Sequence, residues 1–315
     1  MFSEQIDQSI LKEIYDKAIS VSDFGKVATY IPELSLMSPN LFSLSCVIAG
    51  SGEIIQTGDA DTYFTMQSIS KILSLSYAIE KFGMDKVFKS VDMEPTADSF
   101  NSLMRLEMAS PIPANPFMNA GAIVICSILQ KELGRESFNE ITNFCELFTG
   151  TKPKLNQKVF NSEMSTADRN KSLAYFLNST PGLLMDSVEN SLDLYIKLCS
   201  LECTTLDLAK IADVLSCGGK SSFTGKYPLS FETVKTIMGI MITCGLYNGS
   251  GECAVRVGIP AKSGVSGGIL AVAPGKMGIG VFSPPLDSKG NSLAGLYALE
   301  MLSDKLNLRG VKILD

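Results

Sequence analysis

The sequence predicts an α/β fold in which a sheet is assembled from both ends of the chain and an all-helical region is inserted between them. Three observations predict it. Strand-like patterning with turn signals appears near residues 41–57 and again over roughly the last ninety residues. From about residue 84 to 220 the pattern is mainly helical, broken by polar loops. The composition, 45% apolar and 19% charged over 315 residues, supplies core for one large domain or two ordinary ones.

The elements follow in order. Residues 4–19 space their apolar positions as an amphipathic helix does. The apolar run Leu41–Ala49, the Gly50-Ser51-Gly52 turn and Glu53–Gln56 predict a β-hairpin. Ser68 to Phe82 carries no Pro or Gly until Gly83 and predicts a buried helix with a glycine C-cap. The proline-punctuated loop Ser110–Pro116 leads into a helix over 120–133, and helices are expected over 187–200 and 205–216. Ser230 opens a helix to about Thr243. Segments 253–258, 264–273 and 277–283 alternate Val, Ile and Ala with Gly, which predicts strands, and a last helix is expected over about 292–306.

Composition excludes several function classes. A net charge of −6 and the lack of any dense Lys/Arg run argue against nucleic acid or an anionic membrane as partner. Acids rather than bases occupy the N-terminus, no long apolar segment follows, and Ala120–Leu129 is too short to span a bilayer, so a cytoplasmic location is expected. The eight cysteines lie scattered in apolar segments without metal-ligand spacing and read as reduced core residues, so neither a metal nor another cofactor is expected.

The chain contains no histidine. A Ser-His-Asp triad, a Cys-His dyad and a His-ligated zinc are therefore excluded, and any acyl transfer must move its proton by lysine, tyrosine or a carboxylate. Ser68 and Lys71 have the S-x-x-K spacing of serine-lysine acyl transferases. The same spacing recurs at Ser9 and Lys12, where a polar helix near the terminus makes a solvated face the better reading. Lys71 instead lies on a nearly uncharged helix, where burying an ammonium is expensive unless it serves a purpose. A lysine that snorkels to solvent is the bland alternative. Lys262-Ser263-Gly264 resembles the K-T-G strand of the same enzymes, with glycines that allow close backbone approach. A useful amine base at neutral pH must be brought from about 10.4 to near 7, a cost on the order of 4 kcal/mol. Burial, the positive end of its helix and repulsion from Lys262 push Lys71 in that direction. Tyr30 and Tyr247 are candidate proton relays, although any single tyrosine is more often a packed core residue.

Further blocks complete the pattern: Gly25–Leu34, Gln67–Lys71, Asn115–Ile123, Ser162-Glu163, Asp168-Arg169-Asn170, Leu192–Tyr195, Cys244–Tyr247 and Pro260–Ile269. Over nearly the whole chain they resemble the glutaminases of the serine-dependent, β-lactamase-like family. The resemblance implies a β-lactamase/penicillin-binding-protein-like α/β fold, with an antiparallel sheet from both chain ends flanked by helices. It also implies a sheet domain of residues 1–66 and 225–315, a helical domain of 67–224 and a site between them. It makes Ser68 the nucleophile, Lys71 its activating partner, and Tyr30 and Tyr247 the flanking phenols, with Tyr247 favoured as relay. Gln67, Asn119, Glu163, Asn170, Tyr195 and the backbone of Val265 would line the glutamine pocket. The N–H groups of Ser68 and Val265 would form the oxyanion hole. Substrate L-glutamine and a homo-oligomer, dimer or tetramer, are implied in the same way.

These roles make chemical sense. A free amino acid needs an acid for its ammonium, here Glu163, and neutral donors for its carboxylate, here Asn119, Asn170 and Tyr195. Two rivals are a penicillin-binding protein or β-lactamase, for which only loose S-x-N elements at Ser99–Asn101 and Ser137–Asn139 exist, and a silent amino-acid-binding module.

Overall fold

The structure, a computed structural model, describes residues 6–96, 106, 112–180, 183 and 185–310. Part of the expected first helix, the Ser110-Pro111 start of the proline loop and the Ser99–Asn101 element lie outside the described residues.

A five-stranded antiparallel sheet forms the centre of one half. Its order is β3 (Ile54–Gly58), β2 (Ser43–Ile48), β8 (Met277–Phe282), β7 (Gly268–Ala273), β6 (Ala261–Ser263), while β1 (Lys26–Val27) and β9 (Pro285–Leu286) pair separately. The early hairpin and the late strands meet where β2 pairs with β8, Ser45 opposite Gly280 and Cys46 opposite Ile279. The sheet is therefore built from both chain ends, as expected.

Every residue of β2, β7 and β8 is buried, so both faces are covered and the strands read as continuous apolar runs. Alternation still sorts the side chains. Ile269, Ala271, Met277, Ile279 and Val281 join the packed Gln8–Ala18 and Leu293–Lys305 helices in one cluster. Leu270, Val272 and Phe282 face the opposite way and join the helical cluster of residues 64–241.

The Thr205–Ser216 helix covers that second face. It starts on a capping box, Thr204 with Asp207, and Ser45 and Thr205 hydroxyls share a 2.7 Å hydrogen bond. The helix backbone lies so close to β8 that a Cβ at Gly280 would stand 2.0 Å from the Thr205 carbonyl oxygen, and one at Gly278 2.2 Å from that of Ala209. Absence of a side chain on this face of β8 is what permits the contact.

The Ser70–Phe82 helix buries ten successive residues, Ser70 to Ile79, and ends at Gly83 as the sequence predicts. It packs with the Asn119–Leu133, Ser137–Thr149, Val188–Cys199 and Phe231–Cys244 helices around one core.

One element differs from expectation. Residues 253–258 are not a strand: Ser250–Arg256 is a helix. Cys253 and Val257, four apart, are buried while Val255 is 75% exposed, and Glu252 pairs with Arg256 at 3.0 Å. The burial period is therefore helical, and packing of two positions four apart overrides the β preference of Val255 and Val257. The expected strand 264–273 begins only at Gly268, because Gly264–Gly267 forms a turn closed by Gly267 N–H to Gly264 O at 3.0 Å.

Gly280→Ala is expected to lower stability by about 2 kcal/mol or more in urea denaturation, because the backbone carbonyl it meets is fixed. Gly239→Ala, mid-helix with no heavy atom within 4 Å of the added carbon, should raise it by about 0.5–1 kcal/mol.

Candidate active site

Two chain segments converge where β6 meets the turn that precedes the Ser70–Phe82 helix. Strand β4 (Phe64–Thr65) pairs with β5 (Glu202–Cys203), and Met66 N–H bonds Leu201 O, which anchors the 3-10 turn Gln67–Ile69 that carries Ser68. A Cβ at Gly264 would lie 2.6 Å from Met66 O and 3.3 Å from Gln67 Cβ, so only glycine lets the Val265 turn come this close to Ser68.

The backbone is strained on both sides of the serine. Gln67 and Tyr247 have φ of +49° and +52°, a region costing roughly 1–2 kcal/mol for a side-chain-bearing residue. With Asn307 they are the positive-φ non-glycine residues among those described.

A cavity of about 300 Å³ opens here. Its wall brings together Tyr30, Gln67, Ser68, Asn119, Glu163, Asn170, Tyr195, Tyr247 and Val265, which is every predicted pocket residue. Lys71 lies behind the wall, 2% exposed, and does not snorkel. Its Nζ donates to Phe117 O at 2.9 Å and to Asn119 Oδ1 at 2.8 Å, and sits 5.8 Å from the Tyr195 ring centre. Among the described residues no carboxylate pairs with it. Burial, opposed weakly by the Cys199 and Cys126 thiols, brings the amine from 10.5 to about 8.

Lys262 is a second buried amine. It donates to Ser263 O at 2.7 Å and lies 4.7 Å from the Tyr247 ring centre and 5.7 Å from that of Phe117. Burial first, then repulsion from Lys71, pushes it well below 10.5. Both amines are lowered chiefly by burial, and repulsion between the two lysines acts in the same direction. Lys71 has a carbonyl and an amide oxygen to hold its charge, whereas Lys262 has one carbonyl.

The hydrogen bonds fix which atoms face the cavity. Asn119 accepts from Lys71, so its amide nitrogen donates onward to Asn170 Oδ1 at 3.0 Å. That uses the Asn170 oxygen and leaves its NH₂ as a donor. Tyr30 is half-exposed, yet its hydroxyl donates to Glu163 Oε1 at 2.6 Å, with Gln67 Oε1 as a second acceptor at 2.9 Å. Burial raises the Glu163 carboxyl, and bonds from Tyr30 and Gln67 oppose the rise. Burial lifts the Tyr247 phenol to about 12, and the influence of the Ser68 and Ser263 hydroxyls partly offsets the rise. Ser263 in turn donates to Asn291 Oδ1 at 2.6 Å.

The cavity wall also includes Thr166, Ala167, Arg169 and Cys199, which sequence reasoning gave no role. Cys199 follows Tyr195 by four residues on one helix, a spacing that would have placed it on the same face. Arg169 stands between Asp168 and Asn170 in the sequence. No cluster of acids and cysteines suited to a metal occurs among the described residues, and no described helix is long and apolar enough to cross a membrane.

Comparison with known proteins gives concordant results. The family model described as Glutaminase matches residues 25–310. A protein named glutaminase from Clostridium botulinum is 47% identical over 301 residues, covering 95% of this chain and 98% of its own. One from Alkaliphilus oremlandii is 46% identical over 287 residues, covering 90% and 93%. The solved Bacillus subtilis glutaminase YbgJ, in covalent complex with 5-oxo-L-norleucine formed from 6-diazo-5-oxo-L-norleucine, superposes with a TM-score of 0.88 at 35% identity, over 96% of this chain and 99% of that one.

Strain at Gln67 should reverse the usual ranking of two truncations. Gln67→Gly is expected to be more stable than Gln67→Ala by about 1 kcal/mol in urea unfolding, since only glycine adopts this φ without cost.

Proposed function

The chain belongs to the glutaminase family, enzymes that hydrolyse an amide, and from that premise we propose that it converts L-glutamine to L-glutamate and ammonia through an ester on Ser68. One observation carries the reading: a single cavity is lined by Ser68, the Tyr247 phenol and a buried carboxylate, Glu163. That is the pairing an amino acid with a reactive side-chain amide requires.

Ser68 Oγ attacks the side-chain amide carbon while its proton passes through Tyr247 to Lys71. A phenol held near 12 stays protonated at neutral pH, so Tyr247 hands on its own proton as it accepts the serine's. A neutral Lys71 has two N–H bonds, and Phe117 O and Asn119 Oδ1 offer an acceptor for each. Its lone pair is thereby left to take the proton. The proton then goes to the departing nitrogen, the C–N bond breaks, and ammonia leaves a glutamyl ester. Water activated by the same base cleaves the ester and restores Ser68. The backbone N–H groups of Ser68 and Val265 stabilise the oxyanion in both halves. Glu163 takes the substrate ammonium, and the Asn170 amide and the Tyr195 phenol donate to its carboxylate.

The reading divides the chain into a sheet domain, 1–66 with 225–315, and a helical domain, 67–224, with the cavity between them. The enzyme works in the cytoplasm as a homo-oligomer and calls on no metal or organic cofactor.

Ser68→Ala should abolish ammonia release from glutamine while the protein stays folded, and mass spectrometry should find a 6-diazo-5-oxo-L-norleucine adduct on wild type alone. Tyr247→Phe should lower kcat by about 10²–10⁴-fold. Because the free amine is the active form, kcat/KM should rise with pH through about 8. A profile flat from pH 6 to 9 would remove Lys71 from the role of base.

A further inference from the structure

The proton path proposed above, on which this inference rests, needs the Tyr247 phenol held in one place beside Ser68. The local backbone does not favour that. Tyr247 has φ of +52° at the start of the Tyr247–Gly249 3-10 turn, so contacts from outside must keep it there. φ is the rotation of the planar Leu246–Tyr247 peptide about the Tyr247 N–Cα bond. Whatever holds the Leu246 carbonyl therefore also sets the direction in which the phenol leaves the backbone.

Two groups from within the turn hold Leu246: Gly249 N–H donates to its carbonyl at 2.8 Å, and Ser250 Oγ accepts from its N–H at 3.0 Å. A third comes from 45 residues away. Asn291 Nδ2 donates to Leu246 O at 3.3 Å from the loop between β9 and the Leu293–Lys305 helix, and Asn291 is fully buried. The loop itself does not need this side chain. Asp287 closes it, Oδ1 accepting from Lys289 N–H at 2.8 Å and Asn291 N–H at 3.0 Å while its own N–H bonds Asn291 O at 2.8 Å.

Both ends of the Asn291 amide leave the loop instead. Oδ1 accepts from Ser263 Oγ at 2.6 Å on β6, and Nδ2 reaches Leu246. These two partners flank the relay: Leu246 precedes Tyr247, and the Ser263 hydroxyl influences its phenol. An amide suits the place because it offers an acceptor and a donor on one planar group. The neighbouring backbone comes close as well, since a Cβ at Gly290 would lie 3.8 Å from the Tyr247 ring and 3.9 Å from Val265 Cγ1.

We infer that Asn291 is a positioning residue for the proton relay, tying Leu246 O to Ser263 Oγ and so fixing the Tyr247 peptide and the place of its phenol. Asn291 does not line the cavity and acts through Tyr247. Without the amide, a buried carbonyl loses a donor, a buried hydroxyl loses its acceptor, and the strained peptide can rotate. Glu163 and Asn170 lie on other elements, so substrate capture is spared.

The test is a cycle of Asn291→Ala with Tyr247→Phe, read as kcat and KM for ammonia release from glutamine in variants whose near-ultraviolet circular dichroism matches wild type. Asn291→Ala should lower kcat about 10- to 30-fold with KM within about threefold. In the Tyr247→Phe background no phenol is left to position, and the same change should cost less than about twofold. A general structural loss would instead scale both backgrounds alike. Asn291→Asp keeps the volume and the acceptor for Ser263 but puts an oxygen where the donor stood. It should behave the same way in the cycle, and it carries the test if Asn291→Ala does not fold. An unchanged kcat, a loss confined to KM, or an equal loss of kcat in both backgrounds would overturn the assignment of Asn291 alone. Wild-type kcat in Tyr247→Phe would overturn the relay and the role of Asn291 with it. Absence of ammonia release from glutamine by wild type would overturn the glutaminase reading beneath both.

Discussion

Two lysine amines, Lys71 and Lys262, are kept out of water with carbonyl oxygens, one amide oxygen and aromatic faces around them, and among the described residues no carboxylate pairs with either. Everything else at the site follows from how the fold holds them. Taking an amine from 10.5 to about 8 corresponds to on the order of 3 kcal/mol of lost preference for the charged form. A carboxylate partner would cancel that loss and hold the proton in place. Neutral acceptors fix the geometry of Lys71 and leave its proton affinity low enough to cycle.

Phe117 links the pair, its carbonyl accepting from Lys71 while its ring lies beneath Lys262. Asn115 Oδ1 accepts from the N–H groups of Phe117 and Met118, both at 3.1 Å, and so holds that carbonyl in place. The strained backbones of Gln67 and Tyr247 belong to the same design: each sits in a turn that aims a reactive group, and the buried sheet and helical cores on either side supply the free energy that keeps them there. Rigidity here comes from close backbone approach at Gly264 and from β8 seated on the Thr205–Ser216 helix.

Much of this was legible in the sequence, and the parts that were not share a physical cause. The nearly uncharged Ser70–Phe82 helix, the early hairpin and the late strands carry long enough periods to be read directly. The pocket residues were readable only as a set, through resemblance, since Asn119, Glu163 and Tyr195 each have an ordinary structural use when taken alone. Strands of two residues, such as β4 with β5, are too short to have a period, yet they fix the turn before Ser68. The Ser250–Arg256 helix is not legible in the sequence, because local β preference and tertiary packing disagree there. Arg169 and Cys199 do not stand out in the sequence, because a charge at a helix start and a cysteine in a helix have commonplace explanations.

The account rests on Lys71 being an amine that loses its proton near neutrality. Its direct measurement is the titration of Lys71 followed by the chemical shift of a ¹³C label at Cε, assigned by comparison with Lys71→Arg, in folded protein across pH 6 to 11. A midpoint at about 8 is what the buried, carboxylate-free setting predicts. A midpoint near 10.5 would mean that the amine is solvated or paired, and the proton path from Ser68 would have to run elsewhere.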